Sequence, residues 1–282
     1  MQFIEVKDKQ SNTPVKICYE DVGKGQPVVL IHGWPLSKEM WEYQVNDLVE
    51  AGNRVITYDR RGFGMSSRPW NGYDYDTLAD DLKALLDHLN LEQVTLVGFS
   101  MGGGEVVRYF NRYHGERIAR VVLISAITPF MLKTDDNPDG TDRSMTEEIR
   151  TQIKEDRINF LDDFGKKFFG VNLISKPVST PSLEYYRMLC SMASPRATLQ
   201  CLDSFSFTDF RDEMKFITVP TLIIHGDADK IVPPHPTSYK SAKAIPDNHI
   251  LIYNGAPHGL FVTEREQLNK DLVEFIKEVV MV

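Results

Sequence analysis

The chain has 282 residues, of which 42% are hydrophobic and 26% charged, the ordinary composition of a soluble globular protein. Its 32 Lys and Arg against 40 Asp and Glu give a formal net charge of −8. This charge argues against non-specific nucleic-acid binding, which needs clustered positive charge. No run of about 20 apolar residues occurs, so no membrane-spanning helix is expected.

The first residues and the cysteines predict where the protein works. Residues 1–10 alternate apolar and charged side chains, which is typical of a strand and unlike a signal peptide. The cysteines, Cys18, Cys190 and Cys201, are odd in number and lack a CxxC spacing. We therefore expect neither a disulfide framework nor a cysteine-based zinc site, and packing as the role of the thiols. A reducing cytoplasm is the expected location.

Strand and helix signals alternate over the first half of the chain. Four short apolar runs are typical of strands buried in a parallel sheet: residues 27–31, 54–58, 94–99 and 121–124. Helical spacing follows the first two runs, over residues 40–51 and 78–89. Strands that alternate with helices predict an α/β fold with a mostly parallel, doubly wound sheet.

The alternation stops between residues 128 and 218. Apolar residues recur there at helical spacing, with Gly and Pro between them: Ile149, Ile153, Phe160, Leu161, Phe164 and Phe168. We predict a helical cap insertion over 128–218, set into an α/β core of 1–127 and 219–282.

The core pattern returns after residue 219. Apolar runs at 220–225 and 250–253 predict two more strands. A final helix has one apolar face, formed by Leu268, Leu272, Phe275, Ile276 and Val279, and residues 263–266 before it match a capping box. Ligands of such sheets bind at the carboxyl ends of the strands, so the loops there should hold the chemistry.

A candidate nucleophile lies directly after the third of these runs. Gly98, Ser100 and Gly102 form a G-x-S-x-G pattern between a strand and a helical stretch. This is the setting of a nucleophile elbow, a turn so tight that small neighbours are needed for the chain to pass. The alternative is an ordinary glycine-rich turn. Ser100 is our predicted nucleophile.

A serine hydroxyl needs a base, and His258 is the best placed of the seven histidines. It lies in a glycine-flanked loop after the last strand and fits the chain order Ser, Asp, His. His32 and His225 each end a strand and precede a glycine, where a structural role in a turn is expected. The others have polar or proline-bearing surroundings.

Two carboxylates compete to orient His258. Asp227 is close enough to the end of the strand at 220–225 to form a turn, whereas Asp229 lies further out, where the His258 loop should arrive. We therefore prefer Asp229.

A developing oxyanion needs fixed N–H donors. The N–H of Met101, at the start of a helix, is one candidate. The other is the N–H of Trp34, since Pro35 after it has none. The Trp34 indole would also form a wall of the acyl pocket; the alternative is a buried aromatic residue at a turn.

Further pocket residues should follow the ends of two strands. Candidates for substrate binding besides Trp34 are Ile127, Phe130, Met131, Ile231 and Val232. The alternative for each is ordinary core packing.

Taken together, these motifs resemble the α/β-hydrolase superfamily, in the branch of bacterial arylesterases, perhydrolases and cofactor-free (non-haem) haloperoxidases. The resemblance covers nearly the whole chain, with family-like segments at 32–35, 59–64, 98–104, 193–195, 208–210, 227–233 and 256–259. It implies the α/β-hydrolase fold with a helical cap, Ser100, His258 and Asp229 as catalytic triad, and the N–H groups of Trp34 and Met101 as oxyanion hole. The polar stretch 133–143 makes the insertion longer than expected and leaves the shape of the substrate entrance open.

Single residues exclude some relatives. Haloalkane dehalogenases and epoxide hydrolases carry aspartate where this chain has Ser100. Proline iminopeptidases carry more glycine in the loop that corresponds to residues 32–35.

The resemblance implies a serine hydrolase that cleaves small aryl or alkyl carboxylic esters through an acyl-enzyme, without metal or cofactor. A perhydrolase and metal-free haloperoxidase side activity is also implied, with hydrogen peroxide and halide as further partners. Pro35 restricts Trp34 to extended conformations and could aim its carbonyl at an attacking peroxide, or could merely stiffen the loop.

Other functions are compatible with the same triad. A lactonase or a carbon–carbon bond hydrolase would share these residues, and so would a triad-bearing ligand receptor, because function does not follow from fold. Neither a nucleic-acid nor a membrane partner is expected. Self-association into a homo-oligomer is left open by the sequence.

Overall fold

The computed structural model describes residues 1–8 and 13–277. Within them one sheet contains the strands β1 (Gln2–Lys7), β2 (Pro14–Gly23), β3 (Gln26–Ile31), β4 (Asn53–Tyr58), β5 (Val94–Phe99), β6 (Ile118–Ile124), β7 (Thr221–Gly226) and β8 (Asn248–Tyr253). The helices are α1 (Glu42–Glu50), α2 (Tyr75–His88), α3 (Met101–Tyr113), α4 (Arg143–Phe168), α5 (Thr180–Ser191), α6 (Pro195–Phe207), α7 (Ser238–Ala244), α8 (Leu260–Thr263) and α9 (Arg265–Lys277). Short 3₁₀ helices lie at Lys38–Trp41 and Met214–Phe216.

The sheet is mostly parallel, which confirms the predicted fold class. Its strand order is β1-β2-β4-β3-β5-β6-β7-β8, and only the β1–β2 and β2–β4 pairs are antiparallel. From β3 the chain passes to β4 on one side and returns to β5 on the other. Ligands of doubly wound sheets bind at such a reversal, so the loops after β3 and β5 are the expected place for a site.

The buried strands are those that the sequence predicted. Every residue of β5 and of β7 is buried, as continuous apolar runs require when both faces of a sheet are covered. Strand β2 was not predicted. Its first half alternates buried Val15 and Ile17 with exposed Lys16.

Three helices, α4, α5 and α6, lie between β6 and β7, where the insertion was predicted. Helix α4 is interrupted at Asp156 (φ −150°, ψ 89°), whose carboxylate accepts hydrogen bonds from the N–H groups of Ile158 (3.1 Å) and Asn159 (3.0 Å). Asp156 therefore caps the second half of α4. The division into a core of 1–127 and 219–282 and a cap of 128–218 stays a prediction.

The predicted capping box before the last helix is wrong. Thr263 ends α8, and its hydroxyl has no hydrogen-bond partner, so it does not cap α9. The apolar face of α9 buries Leu268, Leu272 and Ile276, while Val279 lies outside the described residues.

The three cysteines lie in the interior of the protein. Cys18, Cys190 and Cys201 are free and buried. Burial raises the pKa of the Cys18 thiol to about 11 and that of Cys190 and Cys201 to about 12, so all three are poor nucleophiles. Across residues 1–8 and 13–277, we find no helix with the length and apolar character needed to cross a bilayer.

Candidate active site

Ser100 occupies a strained turn between β5 and α3. Its backbone has φ 53° and ψ −117°, a region that L-residues rarely adopt. The Ser100 N–H donates to the carbonyl of Ile124 at the end of β6 (2.9 Å), which fixes the turn to the neighbouring strand. This arrangement holds the hydroxyl at the carboxyl edge of the sheet, as predicted for a nucleophile elbow.

The two glycines of the motif are required by close backbone approach. A Cβ atom on Gly98 would lie 2.7 Å from the carbonyl oxygen of Gly102. A Cβ atom on Gly102 would lie 2.7 Å from the carbonyl oxygen of Ile31. Both distances are shorter than real Cβ contacts allow, so any larger residue would push the turn apart.

The structure brings Ser100, His258 and Asp229 together. His258 Nε2 lies 3.0 Å from Ser100 Oγ, and His258 Nδ1 lies 2.6 Å from Asp229 Oδ2. All three residues are buried, with relative exposures of 6% for Ser100, 1% for His258 and 4% for Asp229. The contacts have the geometry of a nucleophile, a base and the carboxylate that orients the base.

Asp229 is held as a carboxylate by four donors. Oδ1 accepts from the N–H groups of Ile231 (2.9 Å) and Val232 (2.8 Å), and Oδ2 accepts from His258 and from His225 (3.1 Å). Burial would raise its pKa, but the positive potential of His258 and the hydrogen bonds from both histidines outweigh burial and lower the pKa below its ordinary value. The site therefore favours the ionised form.

Asp227, the competing carboxylate, has a different place. It is exposed, and its Oδ1 accepts from the N–H of Gly255 (2.6 Å). The N–H of Asp227 also donates to the carbonyl of Tyr253 (3.1 Å). Asp227 thus ties the loop after β7 to the loop that carries His258, while Asp229 contacts the imidazole.

The loop after β3 approaches the serine closely. A Cβ atom on Gly33 would lie 2.6 Å from the Phe99 ring and 3.2 Å from Ser100 Cβ, so this loop passes directly beside the hydroxyl. Met101 is the first residue of α3, where a backbone N–H has no partner within the helix. The role of the Trp34 and Met101 N–H groups as oxyanion donors stays a prediction.

A buried ion pair supports the same loop. Arg60 Nε donates to Glu105 Oε1 (2.6 Å), and Arg60 Nη2 donates to the carbonyl of His32 (2.7 Å). The Tyr58 hydroxyl donates to the other oxygen of Glu105 (2.7 Å). Because Glu105 lies on α3, the pair connects the helix that follows Ser100 to the loop that carries Trp34.

His32 has the structural role that its sequence position predicted. Its Nε2 accepts from the N–H of Arg60 (3.0 Å), which leaves Nδ1 to donate to the carbonyl of Gly33 (2.8 Å). Burial and the nearby Arg60 charge lower its pKa well below the ordinary value, so His32 is neutral. It stiffens the loop rather than serving as a base.

The indole of Trp34 is fixed to helix α6. Its Nε1 donates to the carbonyl of Thr198 in α6 (2.9 Å). Its ring packs at centroid distances of 5.5 Å from Phe164 and 5.4 Å from Phe205. An apolar wall therefore stands beside the candidate oxyanion loop, where a wall of the pocket was predicted.

Helix α4 also contacts the candidate base. The ring of Phe168, at the end of α4, packs edge-on against His258 at 4.9 Å, and Phe99 packs on it at 5.0 Å. This role of Phe168 was not predicted from the sequence. Its helical spacing with Phe160 and Phe164 predicted a buried face but could not identify what that face covers.

The residues that were predicted to line the pocket lie in different surroundings. Ile127 is buried, and its N–H donates to the carbonyl of Ser100 (3.3 Å), so it lies beside the serine. Ile231 and Val232 adjoin the site through the N–H groups that hold Asp229. Phe130 instead packs under the guanidinium of Arg211 at 5.0 Å, a contact that does not support its predicted pocket role.

Met131 is also buried within the hydrophobic core, and its predicted role in the pocket stays a prediction. No cluster of His, Cys, Asp and Glu side chains suited to a metal ion occurs in the described part of the chain.

Two of the pockets formed by the described residues lie beside α5. The larger, of about 570 Å³, is polar and lies away from the triad, between Tyr43, the start of α5 and the α8–α9 junction. The smaller is apolar and is lined by Pro35, Leu36 and Phe168, among others. It borders both the loop of Trp34 and the ring that packs on His258.

Comparison with known proteins identifies the family. Residues 26–264 match the family model described as alpha/beta hydrolase fold. A putative non-heme chloroperoxidase of Synechocystis sp. is 46% identical over 98% of this chain and 100% of its own length. The bifunctional esterase/perhydrolase DCH of Acinetobacter calcoaceticus is 38% identical over 98% and 100%. The crystal structure of a bromoperoxidase from Bacillus anthracis superposes with a TM-score of 0.94 at 47% identity, covering 98% of this chain and 100% of that one.

The chain therefore belongs to the α/β-hydrolase superfamily. Within it, these relatives assign the chain to the branch of esterases and non-haem haloperoxidases, which confirms the resemblance seen in the sequence. It is an enzyme of the esterase type.

Proposed function

We propose that the protein is a serine esterase that cleaves small aryl or alkyl carboxylic esters through an acyl-enzyme on Ser100. The observation that supports this best is the continuous contact from Ser100 Oγ to His258 Nε2 (3.0 Å) and from His258 Nδ1 to Asp229 (2.6 Å). A serine hydroxyl at this distance from an oriented imidazole can lose its proton as it attacks a carbonyl.

In the first half-reaction, Ser100 Oγ attacks the ester carbonyl carbon while His258 takes the hydroxyl proton. The carbonyl oxygen becomes an oxyanion, for which the N–H groups of Trp34 and Met101 are the proposed donors. His258, now an imidazolium beside the ionised Asp229, gives its proton to the leaving alcohol as the ester C–O bond breaks. The acyl group remains bonded to Ser100.

The second half-reaction releases the acid. His258 takes a proton from water, whose oxygen attacks the acyl carbon, and Ser100 regains its hydroxyl when the acyl bond breaks. The buried site suits this cycle, since excluding bulk water strengthens the interactions with the oxyanion.

Hydrogen peroxide can replace water in the second step. Its attack on the acyl-enzyme releases a peracid and free Ser100, and the peracid then oxidises bromide or chloride to the hypohalous acid while it is reduced to the carboxylic acid. The names of the relatives, a putative non-heme chloroperoxidase and an esterase/perhydrolase, support this side activity. No metal or haem takes part in these steps.

Replacing Ser100 with Ala tests the proposal. We expect turnover of p-nitrophenyl acetate to fall by about 10³-fold or more, because only binding and the oxyanion donors then remain. The matched control is Ser191→Ala, at the partly exposed end of α5, which should keep full activity. A Ser100→Ala enzyme within about tenfold of wild type would contradict the triad.

The number of turnovers separates an enzyme from a triad-bearing receptor. A wild-type protein that released only one p-nitrophenol per molecule would be acylated once and would contradict the proposed esterase.

Pro35 provides a test of the peroxide reaction. We propose that it holds Trp34 extended, with its carbonyl available to accept a hydrogen bond from peroxide. Pro35→Leu should then lower the ratio of perhydrolysis to hydrolysis, measured as peracid and acid formed from the same ester. An unchanged ratio would leave Pro35 with the role of stiffening the loop.

A further inference from the structure

A second histidine contacts the carboxylate of the candidate triad. His225, the fifth residue of β7, is fully buried, and its Nε2 lies 3.1 Å from Asp229 Oδ2 and 2.7 Å from the carbonyl oxygen of Val232. Its Nδ1 lies 2.5 Å from the hydroxyl oxygen of Ser238, the first residue of α7. The position of His225 in the sequence predicted only a role in a turn.

The partners of His225 determine where its proton lies. A backbone carbonyl can only accept, so the Nε2 atom that faces Val232 carries a hydrogen. The same N–H also points to Asp229 Oδ2 and donates to both oxygens. In this tautomer Nδ1 accepts from the Ser238 hydroxyl, so every polar atom of the ring has a partner.

Both imidazoles meet at one oxygen atom. Oδ2 of Asp229 accepts from His258 Nδ1 (2.6 Å) and from His225 Nε2 (3.1 Å), while Oδ1 is occupied by the N–H groups of Ile231 and Val232. Ser238, His225, Asp229, His258 and Ser100 thus form one continuous chain of side-chain contacts. The other end of this chain is the candidate nucleophile.

We propose that His225 is a positioning residue for the reaction, with Ser238 as its own support; this inference rests on the proposed esterase function. The His225 N–H keeps the Asp229 carboxylate turned so that Oδ2 faces His258. It also withdraws negative charge from Oδ2, which limits how strongly Asp229 stabilises the imidazolium of His258 and therefore how tightly His258 Nε2 keeps the proton that it must pass on. His225 itself touches neither Ser100 nor, in the mechanism above, the substrate.

Two substitutions of His225 separate this role from packing. His225→Leu fills the space but removes the donor, whereas the amide of His225→Gln offers an N–H near the place of Nε2. We expect His225→Leu to lower kcat for p-nitrophenyl acetate by about 10- to 100-fold with little change in KM, as the loss of a hydrogen bond to a charged group predicts. His225→Gln should recover most of this loss.

The dependence of kcat/KM on pH gives a second measurement, which a change in packing alone would not alter. Among the described side chains, His225 and His258 are the titratable groups that hydrogen-bond to Asp229. Without the His225 donor, Asp229 carries more negative charge and favours the imidazolium of His258. The acid limb of kcat/KM should therefore move to higher pH in His225→Leu and stay in place in His225→Gln.

Two further variants keep the test decisive. His249→Leu, at an exposed position of the adjacent strand β8, is the matched control and should leave kcat and the limb unchanged. Ser238→Ala keeps the imidazole but removes the partner of Nδ1. It should move the limb in the same direction with a smaller loss of kcat, so it decides the question if His225→Leu does not fold.

The inference is overturned if folded His225→Leu keeps the kcat of wild type and the acid limb of its kcat/KM profile does not move. It is also overturned if His225→Leu and His225→Gln lose activity equally while the acid limb stays in place. A Ser238→Ala enzyme with unchanged kcat and limb would also overturn it. Failure of the esterase proposal looks different, because Ser100→Ala would then retain turnover. Failure of this inference leaves Ser100→Ala inactive.

Discussion

The buried pair of Arg60 and Glu105 allows a quantitative test of how the loop beside Ser100 is supported. Glu105→Gln keeps the size of the side chain but removes its charge. Both partners are almost completely buried, at 1% exposure for Arg60 and 0% for Glu105. The Arg60 guanidinium would then lie in the interior without a compensating carboxylate.

Removing one charge from a buried pair costs about 3–5 kcal/mol. A glutamine retains one acceptor oxygen for Arg60 Nε, and its NH₂ can donate to the Tyr58 hydroxyl, so we expect the lower end, about 3 kcal/mol. For a chain of 282 residues this corresponds to a fall in Tm of about 5 °C. Urea unfolding and thermal unfolding followed by circular dichroism measure both quantities.

The matched control is Glu274→Gln in α9. Glu274 pairs with Lys270 at 3.8 Å, and both side chains are mostly exposed, so its loss should cost no more than about 0.5 kcal/mol. A Glu105→Gln protein as stable as Glu274→Gln would refute the argument. The pair would then contribute no net stability, and the loop of His32 and Trp34 would be held by packing.

Three further predictions concern the carboxylate and the turn. Asp229→Asn should lower kcat by about 10⁴-fold, because an amide can no longer stabilise the imidazolium and favours the wrong tautomer of His258; steady-state kinetics that showed less than about a tenfold loss would contradict this role. The lowered pKa of Asp229 means that its ionised form adds stability at neutral pH, and this stability is lost as pH falls below the ordinary value of 3.8. The difference in Tm between wild type and Asp229→Asn should therefore shrink below about pH 4, and a constant difference would count against the lowered pKa. Gly98→Ala should lose more than about 2 kcal/mol of unfolding free energy, since its Cβ atom would meet the Gly102 carbonyl, and unaltered unfolding in urea would refute the steric argument.

The sequence predicted those parts of the fold that depend on local pattern. Strands buried on both faces, such as β5, appear as uninterrupted apolar runs and were found. Strand β2 was missed because its exposed face carries Lys16 and its far end carries Glu20 and Asp21, so no apolar run marks it. The helix start at Arg265 was misplaced because α8, a single short turn, takes up Thr263.

The candidate site was predicted for a different reason. In a parallel sheet the loops after the strands meet at one edge, so Ser100, Asp229 and His258 could be placed together from their positions alone. No sequence pattern predicts contacts that depend on how a loop folds back or on how the helices between β6 and β7 pack. The approach of His225 to Asp229 and the packing of Phe168 on His258 are of this kind.

The hydrogen bond from the Trp34 indole to the Thr198 carbonyl also has a consequence for the movement of helix α6. If α6 moved away from the sheet, it would pull on Trp34, whose backbone N–H is proposed to bind the oxyanion. An outward movement of α6 would break this hydrogen bond and the ring contact between Trp34 and Phe205, so movement of α6 and the position of the oxyanion loop are coupled.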